Sequence, residues 1–164
     1  NSILPYSVKQ WNLLSSKVRE TESYAIFRKS LLNSIKPLTN SIYNIHDSIG
    51  IKLLTRLRLG FSHLNEHKFR HNFQDTLNPL CLCMNEPETT THFLLRCCLF
   101  DNLRITLMND LSNIDNSILL LTENDLINLL LFGSRKYDMT TNKLILLIVI
   151  NYIKNTKRFE EALY

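Results

Sequence analysis

Four side chains in the middle of the chain carry the strongest chemical signal. Cys81, Cys83, His92 and Cys97 follow the pattern Cys-x-Cys-x8-His-x4-Cys, and Cys98 stands directly beside the last of them. Thiolate and imidazole are the ligands that a tetrahedral zinc site uses, and three Cys with one His make a closed set that leaves no open position for substrate. The alternative is that these are small apolar Cys of an ordinary core. Four Cys clustered within 18 residues around a His favour the metal. A structural site of this type contributes roughly 10–16 kcal/mol of apparent binding energy to folding at neutral pH. On spacing, either Cys97 or Cys98 can supply the fourth ligand.

Two further sets of residues have less specific spacing. His63, His67 and His71 recur every four residues in HLNEHKFRH. On one helix they share a face, which suits either a metal or an exposed polar surface, and the exposed surface is the reading adopted. No Glu follows His63 directly, so the metalloprotease pattern is not present. Lys52, Arg56, Arg58, Lys68 and Arg70 stand against Glu66 alone in residues 52–71. With the His ladder they make a basic stripe suited to phosphate contacts. Tyr43, Phe69 and Phe73 lie near it as candidate stacking residues, with burial in the core the expected role of the two Phe. No adjacent Asp pair, G-x-S-x-G or Gly-rich phosphate loop occurs, so the chain is not read as an enzyme.

These residues have to be positioned by a fold. The chain has 164 residues, 45% of them hydrophobic, with three Gly and four Pro. That is enough for a core and too few tight-turn glycines for many strands. The expected fold is mainly α: a small helical domain with a zinc-binding Cys/His loop-helix. Ser7 opens a first helix with Val8, Trp11, Leu14 and Val18 inward, and a second runs from about Ser23 to Leu32. Asp47 or Ser48 caps a helix over 49–61, in which Leu54, Leu57, Phe61 and Leu64 recur at steps of three and four, and Gly60 ends or bends it. A further helix covers 65–73. Residues 77–88 form a loop, and a helix begins at 89–91 and runs through Cys97, with room to continue to Leu111. After a polar loop at 112–117, Thr122 and Asp125 cap a helix over 123–132 that stops at Gly133. Thr140 or Thr141 caps a last helix over 142–163 whose apolar first half is the centre of the C-terminal half.

Charge is unevenly distributed. The net charge is +4, with six Lys/Arg against two acids in 1–36, four against nine in 72–142, and four against none in 143–158. Two basic ends and a basic centre can build one positive face. The longest apolar run, Leu144–Ile150, is too short to span a bilayer, so no membrane partner is expected. No signal peptide is visible and the chain starts at Asn1, so it reads as a piece of a longer protein. The Cys are then expected to be reduced or metal-bound, in the nucleus or cytoplasm.

The run GIKLLTRLRLGFSHLNEHKFRHNFQDTLNPLCLC…ETTTHFLLRC, residues 50–97, resembles the C-terminal region of reverse transcriptases from non-LTR (LINE-type, jockey-like) retrotransposons. LPYSVKQWNLLSSKVRETESYAIFRKSLL (4–32) is similar to the segment after the polymerase thumb, and LLFGSRKYDMTTNKLILLIVINYIKNTKRF (130–159) to the extreme C-terminus. The resemblance implies a helical segment over 1–47, basic helices and a CCHC zinc knuckle over 48–112, and a helical tail over 113–164. It implies one structural zinc ion on Cys81, Cys83, His92 and Cys97, favouring Cys97 over Cys98. It implies RNA or DNA as partner, gripped as template or target in target-primed reverse transcription, and contact with the polymerase domain of the parent protein. The Cys-x-Cys turn is shorter than the family's usual one. The alternative is a zinc-stabilised module that docks on the parent polymerase, or a domesticated remnant without polymerase function.

Overall fold

The computed structural model describes residues 45–159. The two helices expected within 1–36, and Tyr43, lie outside the described residues. Within them the fold is mainly α, with no named strand and a single antiparallel bridge between Leu80 and Pro87.

Helix α1, Ser48–Leu59, starts where the Asp47 side chain accepts a hydrogen bond from the Gly50 N–H. That satisfies one of the amides a helix start leaves open. It stops at Gly60, whose left-handed backbone (φ 64°) is open to a residue without a Cβ. Helix α2 is short, Asn65–Arg70, rather than reaching Phe73. Asn72, at φ 56°, turns the chain out of helical geometry soon afterwards. Residues 71–89 are loop, in keeping with their Pro and polar content, and helical geometry begins at Thr90.

The expected helix from Thr89 onward is broken. His92–Arg96 forms a single π-helical turn, Cys97 is extended, Cys98–Phe100 is a 3-10 turn, and only then does α3 run, Asp101–Ile114. A 3-10 segment, Asn116–Leu120, leads to α4, Glu123–Phe132, capped by Thr122 and closed by Gly133. Helix α5 is Met139–Asn155. Its cap is Asp138, whose carboxylate accepts from the Thr141 N–H, not Thr140 or Thr141 itself. It ends well before Leu163, as Lys157 adopts φ 54°.

Helix α5 is the hub. Ile145, Leu146, Val149 and Ile150 are completely buried, against α1, α3 and α4. Helices α1 and α5 approach so closely that a Cβ on Gly50 would stand 2.2 Å from Ile150 Cγ2. One core therefore joins 48–112 to 113–159: Leu54, Leu57 and Leu64 share it with Leu111, Leu130 and Ile150. Phe61, expected on the same face as Leu57 and Leu64, is exposed because the helix has already ended at Gly60.

Candidate metal centre

The candidate metal ligands come from two structures that face each other. The first is a tight hairpin, held by Cys81 N–H to Glu86 O at 3.0 Å, Glu88 N–H to Pro79 O at 2.8 Å, and Met84 N–H to Cys81 O at 2.8 Å. Met84, left-handed at φ 63°, folds the chain back. A one-residue spacer works here because the Met84 N–H to Cys81 O bond closes a tight turn with Leu82 and Cys83 at its centre, which swings Cys83 back towards Cys81. Cys81 and Cys83 face inward, and Leu82 between them is exposed.

The second structure is the π turn. Residues five apart on an α-helix diverge by about 140°, so His92 and Cys97 would not meet on the helix expected. The wider turn is closed by Cys97 N–H donating to His92 O at 2.8 Å, and Cys97 then leaves in extended geometry (ψ 117°). Both side chains thereby turn to the hairpin. Phe93, next to the ligand His, anchors the turn. It is fully buried between Phe100, Tyr152 and Phe159, with ring centroids 5.3–5.9 Å away, and its carbonyl accepts from the Tyr152 hydroxyl at 2.9 Å.

Cys81, Cys83, His92 and Cys97 converge, with all four candidate ligand atoms within 4.8 Å of one another. Cys81 Sγ and Cys97 Sγ are 3.5 Å apart, and Cys83 Sγ is 3.3 Å from His92 Nε2. A zinc tetrahedron with sulfur at about 2.3 Å has sulfur–sulfur edges of about 3.8 Å. The four groups thus stand close to the spacing a small divalent ion requires. Cys97 is buried and Cys98 is exposed, away from the cluster, its sulfur 3.8 Å from Asn85 Nδ2.

Compared with family models, with curated proteins and with solved structures, the chain matches none. The chemistry of the donor set therefore rests on the geometry itself.

Three features prepare the site for a cation. The sulfurs of Cys81, Cys83 and Cys97 each receive a backbone N–H from two residues on: Cys83, Asn85 and Leu99. Such donors favour thiolate over thiol. Burial acts the other way, pushing the Cys81 thiol up to about 12 and Cys97 upward as well. At Cys83 burial is outweighed by the Asn85 amide, the Cys81 thiol and the nearby His92, and its pKa falls to about 7. A metal ion offsets the burial penalty, because a coordinating thiol is deprotonated outright. Finally, the His92 ring turns Nε2 to the sulfurs and Nδ1 to the Glu86 carboxylate at 2.9 Å, a contact that is short but off the N–H axis. A carboxylate behind a ligating imidazole fixes its tautomer and raises its basicity. Glu86 is itself held well below the usual carboxylate range, first by His92 and then by Arg96.

The centre is tied to the helices by side chains that sequence reasoning did not assign to it. Arg96 bridges Glu86 and Glu123, joining the hairpin to the start of α4. Arg104 of α3 donates to the carbonyls of Leu94 and Cys97. Glu88, 1% exposed, takes a two-pronged contact from Arg158, with both N···O distances 2.6 Å, and a third hydrogen bond from the Asn65 N–H at 2.7 Å. Glu86 was findable, since a ligating His calls for a carboxylate and Glu86 lies between Cys83 and His92. Arg158, 70 positions from Glu88, carried no such signal.

The His ladder does not form one exposed face. His63 precedes α2 and His71 follows it. His67 is buried, and its Nδ1 accepts from the Ser62 N–H at 3.2 Å, which puts its own proton on Nε2, towards Thr90 Oγ1 at 3.3 Å. Burial, with Arg70 and His71 nearby, lowers its pKa to about 4, so it is a neutral core residue. Among the described residues the metal-ligating cluster is the Cys/His set alone.

The basic residues separate into two groups. Lys52 is exposed on α1, and Arg56, one turn on, has a buried Nη1 with no hydrogen-bond partner among the described residues. The others make internal contacts: Arg58 donates to Leu131 O and lies over the Phe132 ring, Lys68 pairs with Asp75, and Arg70 donates to Gly60 O at 2.9 Å. Phe69 and Phe73, expected in the core, are exposed. No helix among the described residues is long and apolar enough to cross a membrane.

Proposed function

We propose that this chain is a zinc-braced, nucleic-acid-binding region of a retrotransposon RNA-directed DNA polymerase, holding RNA or DNA by its phosphates. The observation that carries the metal part is the convergence of Cys81, Cys83, His92 and Cys97 with Glu86 behind the imidazole. Three sulfurs and one nitrogen in a tetrahedron suit zinc over oxygen-seeking ions. The ion is a brace: all four positions are filled by protein, and the π turn it fixes runs straight into the core at Phe93. The retrotransposon assignment rests on the sequence resemblance over residues 4–32, 50–97 and 130–159.

The hairpin is a poor grip on phosphate, since Glu86 and Glu88 lie in it and Arg96 is held by Glu86 and Glu123. Lys52 and Arg56 of α1, adjacent on one face, are the residues best placed to take backbone phosphates. The test is binding of RNA and DNA across a salt series. Replacing Lys52 and Arg56 with Gln should weaken all sequences alike and reduce the salt slope by about one per lost contact. Unchanged affinity at moderate salt would remove these residues from the interface.

A second reading is favoured by the exposed apolar side chains of the hairpin tip, Leu82 and Met84. It makes the module a docking piece on the parent polymerase. Failure of the isolated chain to bind any nucleic acid at low salt, with binding to the polymerase domain retained, would select it.

A further inference from the structure

The corner between α1 and α2 carries aromatic rings on its surface where a core was expected. Phe61 is 53% exposed and Phe73 40% exposed. They are not scattered. The Phe61 ring lies 4.5 Å from His71 and 6.4 Å from Phe73, centroid to centroid. The cause is local: left-handed Gly60 throws Phe61 outward, and the chain returns at 71–73 alongside it. Three neighbouring rings on a surface do not arise from packing demand, and single exposed apolar residues are the norm.

Charge surrounds these rings. Arg70 reaches Gly60 O, immediately beside Phe61. Arg56 and Lys68 bear electrostatically on His63, along with Arg158. Arg56 Nη1 and His63 Nδ1 are both buried without a hydrogen-bond partner among the described residues. The acids of this corner are Glu66, 3.6 Å from Arg70, and Asp75, paired with Lys68. The cations Lys52, Arg56, Lys68 and Arg70 outnumber them four to two. The Arg70 guanidinium, about half of whose side chain is open to solvent (53%), stands beside Phe61 and is the charge that an anion at the rings would meet.

We propose that this corner is a stacking platform for unpaired nucleotides: bases lie on Phe61 and Phe73, and a flanking phosphate sits at Arg70. This rests on the nucleic-acid reading above and narrows it to single strands. An unpaired nucleotide offers a flat π-face and a negative group within one short unit, which matches rings beside an exposed guanidinium. Duplex bases are stacked on each other and present no free face. An apolar protein surface would match the rings but not the excess of cations around them.

The test uses the full chain purified with its metal, a short single-stranded oligonucleotide carrying 2-aminopurine, and a duplex of equal length. The wild type should prefer the single strand and change the 2-aminopurine fluorescence on binding. Phe61→Leu/Phe73→Leu keeps apolar area and removes the π-faces. It should weaken single-strand binding by roughly thirtyfold or more, from two stacked bases at about 1–3 kcal/mol each, and abolish the fluorescence change. Duplex binding, metal content and helicity should stay as they were. Phe61→Tyr, which keeps the ring, should bind as the wild type does. Equal losses on both substrates, or no loss, would overturn the platform and leave the phosphate grip standing. Absence of binding to either nucleic acid at low salt would overturn both.

Discussion

Replacing Arg158 with Met should destabilise the protein by about 3 kcal/mol, more than any substitution on an exposed surface would. The magnitude follows from what remains. Glu88 is 1% exposed and receives three hydrogen bonds, two from Arg158 at 2.6 Å and one from the Asn65 N–H at 2.7 Å. Without the guanidinium, the buried carboxylate keeps a single amide. Breaking one side of a buried pair costs about 3–5 kcal/mol, because the other charge stays behind uncompensated. The Arg158 side chain is 18% exposed, so some solvent reaches the gap and the lower end applies. Glu88→Gln removes the charge while keeping the shape, and should cost about 1–2 kcal/mol. The double variant should be more stable than the sum of the two predicts, by about 1 kcal/mol or more. The assay is urea denaturation with metal in constant excess, at low and high salt. The effect should be nearly independent of salt, as a buried pair is weakly screened. A loss below about 1 kcal/mol for Arg158→Met, additive with Glu88→Gln, would refute the clamp between Arg158 and the metal hairpin.

Glu86→Gln should leave the fold intact and weaken metal affinity by about 10- to 100-fold in a chelator competition, since it removes the carboxylate behind His92. His67 gives a pH signature. Its pKa is near 6.5 in the unfolded chain and about 4 in the folded protein. The unfolded state therefore takes the proton first as pH falls. The stability that neutral His67 provides is complete above 6.5 and is lost progressively between 6.5 and about 4. His67→Gln should flatten the fall in stability over that window by up to about 1.4 kcal/mol per pH unit. Identical pH profiles for the two proteins would show that His67 titrates normally.

Periodicity and punctuation make much of the fold legible in the sequence. Thr122, Asp125 and Gly133 bound α4 where the capping pattern places it, and Gly60 ends α1 through its left-handed backbone. The four metal-site residues are legible because thiols and an imidazole crowded into so short a stretch rarely serve a purpose besides holding a metal. The misses share a physical cause, competition between a local signal and a tertiary demand. His92 and Cys97 must meet Cys81 and Cys83, so the helix expected there gives way to a π turn, although its residues favour continuation. The four-residue His spacing suggests one exposed face, but α2 is too short to carry all three, and Thr90 and Ser62 draw His67 inward. Phe69 and Phe73 resemble core by composition alone: Phe69 lies on the exposed side of the short α2, and the early stop at Arg70 leaves Phe73 on the surface. Arg58, Lys68 and Arg158 have the pattern of solvent-facing charge. Each has a partner far along the chain or across a loop, which no local pattern reveals.

The central claim is that Cys81, Cys83, His92 and Cys97 hold one zinc ion, and native mass spectrometry of the purified chain tests it most directly. The wild type should carry one zinc per chain, and so should Cys98→Ser, whose side chain is exposed and outside the cluster. Cys97→Ser should lose the ion or hold it far more weakly, because its sulfur lies 3.5 Å from Cys81 Sγ inside the cluster. A wild-type chain that takes up no zinc, or a Cys97→Ser chain that keeps it while Cys98→Ser does not, would contradict the account.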